Sequence, residues 1–410
     1  MSDYRFAQAD FDVEARHIIE ALRSGIPSHA VGQCFTEARP KIMREIQGHL
    51  ENVCNTAKST GMMICGKYGE GKTHLLNTVF NMAGENSMVV SYLSLSKETP
   101  LDKLYLVYQK LIAGTFLPGR QQPGFTQIFD NMTANSPIAS EMITYAAKHL
   151  ETDKLYYLLR ACLNTEDSEE RFLLQADLEG DFIANAALKQ IYRRIFNQPV
   201  KYNVNFSKTK HCRDYFAFMS HLFTRLGYNG WVILIDEGEL MGRLSKKARL
   251  NAYRNLAEFL QPGTAMESVF SVVAFSASYV EDVIVGKHDY ENMEQLYPDN
   301  QEPMRSIMNL ICRTPQLVPL TKDEIRSILE RIREIHSQAY HWSPQISLDE
   351  LENASKLGGY LLRTKIRAAI ELLDQMYQYG DTEAVSISKL SNESYEEGVL
   401  SPDSVTEMGE

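Results

Sequence analysis

Gly66-Lys67-Tyr68-Gly69-Glu70-Gly71-Lys72-Thr73 is the stretch that decides the fold of this 410-residue chain. The apolar run Met62-Met63-Ile64-Cys65 before it predicts a short buried strand, and the residues from His74 to Met82 continue as a helix. A glycine-rich turn between a strand and a helix is the context in which Gly-x-x-x-x-Gly-Lys-Thr indicates a phosphate-binding loop. The alternative is a chance match in a glycine-containing turn, which would not require that context.

This loop predicts a site for ATP and Mg²⁺. Backbone N–H groups of the turn and of the helix N-terminus form a nest for phosphate oxygens. We expect Lys72 to contact the β and γ phosphates and the Thr73 hydroxyl to contact Mg²⁺, which takes few protein ligands. The residues predicted to bind the nucleotide are Gly66, Lys67, Tyr68, Gly69, Glu70, Gly71, Lys72, Thr73 and His74.

A second apolar run, Val232-Ile233-Leu234-Ile235, ends in the acids Asp236 and Glu237. We expect this strand to lie beside the first one, so that Asp236 reaches the metal through water and Glu237 polarises an attacking water as general base. Alone, such a run is often only a strand leaving the core. Together with the phosphate loop, it favours hydrolysis over phosphoryl transfer to a small acceptor.

Strands alternate with helices along the first 320 residues, which predicts a parallel sheet covered on both faces. Further strands are predicted at 88–95, 231–235, 270–275 and 316–319. The expected organisation is N-terminal helices at 1–60, a core at 61–320 with a mostly helical insertion at about 101–228, a helical lid at 321–380, and an acidic tail at 381–410 that we expect to be disordered.

The composition of the chain argues against several classes of protein. The six cysteines are scattered without a Cys-x-x-Cys pair, which indicates free thiols in a reducing cytoplasm rather than a zinc or redox site. The sequence contains no run of about 18 apolar residues, so no membrane span is predicted. The N-terminus lacks a secretory pattern. The net charge is −11, with residues 380–410 contributing eight acids against one lysine, so no global positive field indicates nucleic acid binding.

The order of phosphate loop, strand, Asp-Glu strand, polar-ended strand and helical lid resembles an AAA+ ATPase of the Orc/Cdc6-like branch. More closely, the chain resembles the BREX-type BrxC/BrxD ATP-binding family of bacterial phage defence. The residues that carry this resemblance are 15–27, 66–73, 233–237 and 317–325, and it covers most of 13–379. It implies an α/β fold, with a three-layer AAA+ P-loop parallel sheet, a long helical insertion and a C-terminal helical lid.

The resemblance also implies residues that act on the γ-phosphate. Ser276, or Ser278 as the fallback, corresponds to a polar sensor that positions the attacking water; the alternative is a serine that only caps the turn. Arg363 or Arg367 corresponds to the arginine of the lid. The two arginines are four residues apart on one helix face, so the sequence does not choose between them, and a solvated basic face is the alternative.

An arginine finger, which acts across a subunit boundary, is implied at Arg305 or at Arg313. Either arginine could instead pair with a surface acid. Near the start, Ile26 and Pro27 match a segment that packs against adenine, or they form a plain helix stop.

The insertion contains a candidate DNA surface. Residues 182–213 contain no Asp or Glu, and lysine and arginine neutralise phosphates while aromatic rings can stack on unpaired bases. The alternative is a helix whose rings are core and whose bases are solvated. The basic residues of this surface are Lys189, Arg193, Arg194, Lys201, Lys208 and Lys210, and the rings among them are Tyr192, Phe196, Tyr202 and Phe206.

Together these features predict a cytoplasmic, Mg²⁺-dependent ATPase in a DNA-directed defence complex, either as a homo-oligomer or with other defence proteins. The alternative is a nucleotide-gated adaptor with negligible turnover, which recruits a partner protein through the insertion. A small-molecule kinase is disfavoured by Glu237 and by the lid.

Overall fold

The computed structural model describes residues 15–23, 39–120, 122–125, 127–130, 132–359 and 361–380. Their contacts define two compact units. The larger unit contains 39–68 and 72–319, and the smaller one contains the described parts of 1–38 and 320–410 together with the loop residues 69–71. Ile26, Pro27 and the predicted tail at 381–410 lie outside the described residues.

A five-stranded sheet forms the centre of the larger unit. Its strands are β1 (Thr60–Gly66), β2 (Val89–Ser94), β3 (Thr115–Phe116), β4 (Trp231–Asp236) and β5 (Val269–Ser276). The spatial order is β1-β5-β4-β2-β3, and every neighbouring pair is parallel except β2 with β3. The predicted α/β fold with a mainly parallel sheet is confirmed.

Side chains alternate along each strand between two hydrophobic cores, which makes the unit three-layered. Val232 and Leu234 of β4 face one core, whereas Ile233 and Ile235 face the other. Because both faces are covered, the strands are near-continuous apolar runs rather than alternating ones.

Helices account for most of the remaining chain. In chain order they are α1 (15–23), α2 (Pro40–Thr56), α3 (Lys72–Glu85), α4 (Leu104–Ala113), α5 (Gln127–Asp130), α6 (Pro137–Lys148), α7 (Lys154–Asn164), α8 (Ser168–Ala176), α9 (Asn185–Phe196), α10 (Lys208–His211), α11 (Arg213–Arg225), α12 (Lys246–Leu260), α13 (Asp289–Leu296), α14 (Glu302–Arg313), α15 (Lys322–Tyr340), α16 (Leu348–Leu357) and α17 (Leu362–Tyr379). A turn at Asp177–Asp181 that is kinked at Gly180 (φ 103°), a π-helical turn at Val280–Val285 and a 3₁₀-helix at Gly238–Arg243 complete the pattern.

The prediction of a strand at 316–319 is wrong. Gln316 forms one isolated parallel bridge with Cys65, and the Leu317 N–H donates to the Cys65 carbonyl at 2.7 Å. Pairing ends there because Val318 points to solvent, with 73% of its surface exposed, and Pro319 has no N–H to donate. The fifth strand is instead β3, two residues long, inside the insertion that we expected to be mostly helical.

The expectation that the Asp-Glu strand lies beside the first strand is also wrong. β5 is hydrogen-bonded to both β1 and β4 and therefore separates them. The order of strands across a sheet depends on where the connecting helices cross over, and hydrophobic periodicity carries no information about that crossover.

The insertion contains a buried ion pair. Lys154 of α7 and Asp177, whose side chains are both 0% exposed, approach to 2.6 Å. Lys154 Nζ also donates to the Ile183 carbonyl at 3.0 Å and lies 4.5 Å from the centre of the Phe206 ring, while the Tyr215 hydroxyl donates to Asp177. These contacts connect four segments of the insertion through one polar cluster.

The smaller unit is helical. Residues 15–23 pack with α15, α16 and α17 around one apolar core, and Arg23 donates to Asp374 of α17 at 2.7 Å. Capping boxes, in which Thr321 bonds Glu324 and Ser347 bonds Glu350, begin α15 and α16. The helical composition predicted for the lid region is what the structure contains.

We expect Asp177→Asn to lower the free energy of unfolding by about 3 kcal/mol, because it leaves the buried Lys154 ammonium without its counter-charge. The control is Glu258→Gln, which makes the same chemical change in the more exposed pair with Arg213 at 2.8 Å and is expected to cost less than about 1 kcal/mol. Urea unfolding of both variants measures the difference. Equal losses would contradict a dominant role for burial.

Candidate functional site

The loop between β1 and α3 has the backbone that its glycines permit. β1 ends at Gly66, α3 begins at Lys72, and between them Gly69 and Gly71 have φ angles of 77° and 91°. L-residues with a Cβ are disfavoured at these angles, so the glycines allow the reversal of direction that brings the chain into the helix.

Lys72 lies on the concave side of this loop. Only 8% of its surface is exposed, and Nζ donates to the carbonyls of Gly66 at 3.0 Å and Lys67 at 3.2 Å. Among the other predicted nucleotide ligands, Thr73 and His74 on the first turn of α3 are half-buried, whereas Tyr68 is 50% exposed. A buried ammonium next to the N-terminus of a 14-residue helix suits a phosphate group.

Asp236 is the buried carboxylate of the site, 3% exposed at the end of β4. Each of its oxygens accepts one hydrogen bond. The Glu237 N–H donates to Oδ1 at 2.8 Å, and the Tyr92 hydroxyl donates to Oδ2 at 3.1 Å. Burial raises the pKa of Tyr92 well above its ordinary value and the Asp236 carboxylate raises it further, which keeps the phenol a donor.

Sequence reasoning missed Tyr92. It lies in β2, on the strand that pairs with β4, and its position opposite Leu234 depends on the register between the two strands. No motif marks it, since the pattern from 88 to 95 predicts only a strand.

Glu237 follows in a strained backbone conformation, with φ 60° and ψ 37°. Left-handed geometry costs a non-glycine residue about 1–2 kcal/mol, and such strain concentrates at functional sites. Burial and the carboxylates of Glu239 and Asp236 raise the pKa of Glu237, while the charges of Lys72 and Arg243 lower it.

Ser276 ends β5, next to this turn. Its backbone N–H donates to Glu239 Oε2 at 3.0 Å, and its hydroxyl lies 3.3 Å from that of Ser278. Gly238 is required between the acids, because a Cβ there would lie 2.7 Å from the Ala274 carbonyl oxygen. Glu239 thus connects β5 to the turn that follows β4. The sequence offered a signal for this residue, because Glu239 belongs to the acidic run Asp236-Glu237-Gly238-Glu239.

The arginines assigned by resemblance lie on two helices. Arg305, on α14, donates to Glu294 at 3.1 Å and to Gln301 at 2.7 Å, and Arg313 at the end of that helix is exposed. Arg363 and Arg367 are half-buried on α17 of the smaller unit. Their roles as finger and lid sensor stay predictions.

The rings of the candidate DNA surface belong to the core. Tyr192 is buried and contacts Phe196 with ring centres 4.5 Å apart, and Tyr202 and Phe206 pack against the same cluster. The basic residues of that surface are all exposed, although Arg194 pairs with Glu170. Tyr192 is thereby withdrawn from base stacking, the other three rings are half-buried, and the exposed side chains are cationic.

The donor set fits a magnesium nucleotide. Mg²⁺ is commonly held by one or two protein oxygens together with substrate phosphates. A hydroxyl at Thr73 and a carboxylate at Asp236 are oxygen ligands of that kind. Among the residues that the structure describes, no group of three His, Cys, Asp or Glu could hold a metal by itself.

Within the described ranges, no helix has the length and apolar character needed to cross a membrane. Among the described cysteines, Cys54, Cys162, Cys212 and Cys312 are free thiols.

Comparison with known proteins gives one family match. The model for BREX system ATP-binding protein BrxC/D matches residues 12–151 and 178–392. A solved Walker-type ATPase of Pyrococcus abyssi is similar over 82% of this chain and 67% of its own, with 13% identity and a TM-score of 0.34, which is too low to assign a fold. No curated protein matches.

The three-layer sheet and the glycine-rich loop between β1 and α3 define a P-loop fold, as the AAA+ resemblance implied. The family match extends over most of the chain. The chain belongs to the BrxC/D family of BREX system ATP-binding proteins.

We expect Gly71→Ala to weaken ATP binding at least tenfold, because the added Cβ at φ 91° distorts the loop around the phosphates. The control is Gly227→Ala, at φ 88° in open space before β4, which imposes similar backbone strain of about 1–2 kcal/mol away from the loop. Isothermal calorimetry gives the dissociation constants, and equal affinities in the two variants would contradict the assignment of the loop.

Proposed function

We propose that this protein binds ATP with Mg²⁺ and hydrolyses it as part of a BREX defence complex. The observation that supports the proposal is that the buried Lys72 follows the glycine-rich loop after β1 and the buried Asp236 ends β4, both at the carboxyl-end edge of the parallel sheet. Open α/β sheets bind ligands at that edge.

Each residue has a distinct task in this proposal. The ammonium of Lys72 neutralises the β and γ phosphates, and the loop N–H groups orient them. Thr73 and Asp236 would hold the metal, which when bound would supply positive charge to the phosphate oxygens. Glu237 accepts a proton from the attacking water. Ser276, fixed by Glu239, orients that water.

Hydrolysis is favoured over simple ATP binding by the second acid of the pair, Glu237, which directly follows the buried Asp236 at the end of β4. Burial and neighbouring carboxylates raise the pKa of Glu237, which makes it a better base. The adaptor with negligible turnover is the competing proposal.

Glu237→Gln is expected to keep ATP affinity within about threefold of wild type and to lower turnover at least 100-fold, since the amide cannot accept the proton. Calorimetry measures the affinity, and phosphate release measures the turnover. Glu258→Gln, which changes an acid paired with Arg213, is the matched control and should retain turnover.

The outcomes separate the two proposals. Wild-type protein that binds ATP but releases no phosphate, alone or with DNA and its complex partners, would favour the adaptor. The same Glu237→Gln protein with ATP bound, analysed by light scattering, tests self-association. A strict monomer would give Arg305 and Arg313 no neighbouring subunit to reach.

We further propose that the insertion contacts the DNA backbone through its exposed bases. Because the rings of this surface are packed inward, the contact would be to phosphates and independent of sequence. Residues 182–213 contain no Asp or Glu, and of their basic side chains Arg194 is paired with Glu170 of α8.

The triple variant Lys189→Glu, Arg193→Glu and Lys201→Glu is expected to weaken DNA binding and to reduce the slope of log K against log salt by roughly 0.9 for each phosphate that is no longer neutralised. The control reverses the charges of Lys41 and Arg44, which are exposed on α2. Fluorescence anisotropy with a short duplex at several salt concentrations provides both numbers. An unchanged slope would remove this surface from consideration.

A further inference from the structure

Tyr92 occupies a position that the proposed reaction does not yet use. It lies in β2, paired in register with Leu234 of β4, and its half-buried ring packs against the core shared with α3, the helix that carries Lys72 and Thr73. Its hydroxyl donates to Asp236 Oδ2 at 3.1 Å.

That hydrogen bond fixes the direction of the Asp236 carboxylate. With Oδ1 bonded to the Glu237 N–H and Oδ2 bonded to Tyr92, rotation about the Cβ–Cγ bond would break both contacts. Each oxygen retains lone-pair capacity for another donor, such as a water of hydration. The two donors therefore determine where those remaining lone pairs point.

The donor from Glu237 and the donor from Tyr92 differ in origin. The first is a backbone group of the turn itself, and it is present whatever side chain lies there. The second comes from another strand and depends on a single oxygen atom. Removing that atom changes the orientation of Asp236 without changing its charge or the course of the turn.

We propose that Tyr92 is a positioning residue that sets how strongly Mg²⁺ promotes nucleotide binding, by orienting the Asp236 carboxylate toward the hydrated metal. This inference rests on the proposed magnesium–ATP site. Partners that orient metal-binding carboxylates contribute about 10–100-fold in metal affinity or activity. The effect belongs to the metal and not to the nucleotide, because the Tyr92 hydroxyl is engaged by Asp236.

The test is Tyr92→Phe, which keeps the ring and removes only the hydroxyl. Calorimetry with a non-hydrolysable ATP analogue is performed in excess EDTA and in millimolar Mg²⁺. In wild type we expect the analogue to bind more tightly with Mg²⁺. In Tyr92→Phe we expect affinity in EDTA to stay within about twofold, and the tightening by Mg²⁺ to fall by about tenfold.

Tyr108→Phe is the matched control. Tyr108 is buried in α4, and its hydroxyl donates to the Leu178 carbonyl at 2.7 Å, so the variant also removes one buried hydroxyl bond but away from Asp236. It should retain the wild-type response to Mg²⁺. In an Asp236→Asn background, Tyr92→Phe should cause no further loss, because the carboxylate on which it acts has been removed.

Each of the other possible results would contradict either the role of Tyr92 or the proposed ATP site. Equal tightening by Mg²⁺ in Tyr92→Phe and wild type overturns the role of Tyr92 and leaves the ATP site intact. Affinity lowered equally with and without Mg²⁺ assigns Tyr92 to structure only and also overturns it. Wild-type protein that binds no analogue in Mg²⁺ overturns the proposed function itself.

Discussion

The parallel pairing of β1, β5, β4 and β2 is the constraint on which the rest of the structure depends. Parallel register brings the carboxyl ends of four strands to one edge, where Gly66 pairs with Ser276 and Asp236 pairs with Ser94. Gly66 and Ser276 are 210 residues apart in sequence and Ser94 and Asp236 are 142 apart, yet each pair is adjacent in the sheet. Because both faces of the sheet are covered, this edge is where polar side chains can follow buried strands without entering a core.

Two polar contacts at this edge connect different strands. Tyr92 of β2 bonds to Asp236 of β4, and Glu239 after β4 bonds to the backbone of Ser276 in β5. Such cross-strand bonds satisfy buried groups that would otherwise cost about 1–3 kcal/mol each. They also connect the orientation of the acids to the packing of the sheet, so that the strained turn at Glu237 is held by its surroundings.

The insertion is organised around a buried ion pair rather than around paired strands. Its interior contains the Lys154–Asp177 ion pair amid aromatic rings, and both residues lie in the segment 152–177 that the family model leaves unmatched. A buried pair of this kind adds little net stability, yet breaking it is costly, so it specifies how α7 and the kinked turn at Asp177–Asp181 meet. The same interior holds Tyr192 and Phe196, which leaves lysine and arginine as the exposed chemistry of this surface.

Local patterns in the sequence determined the P-loop, the four long strands, the helical insertion and the helical lid, because glycine geometry and hydrophobic periodicity are properties of adjacent residues. Tertiary structure alone decided that β5 separates β1 from β4, that residues 316–319 form one bridge rather than a strand, and that Tyr92 bonds to Asp236. Strand order, register and cross-strand hydrogen bonds arise from helix crossovers and from packing between distant segments. No short window of sequence contains both partners of such a contact.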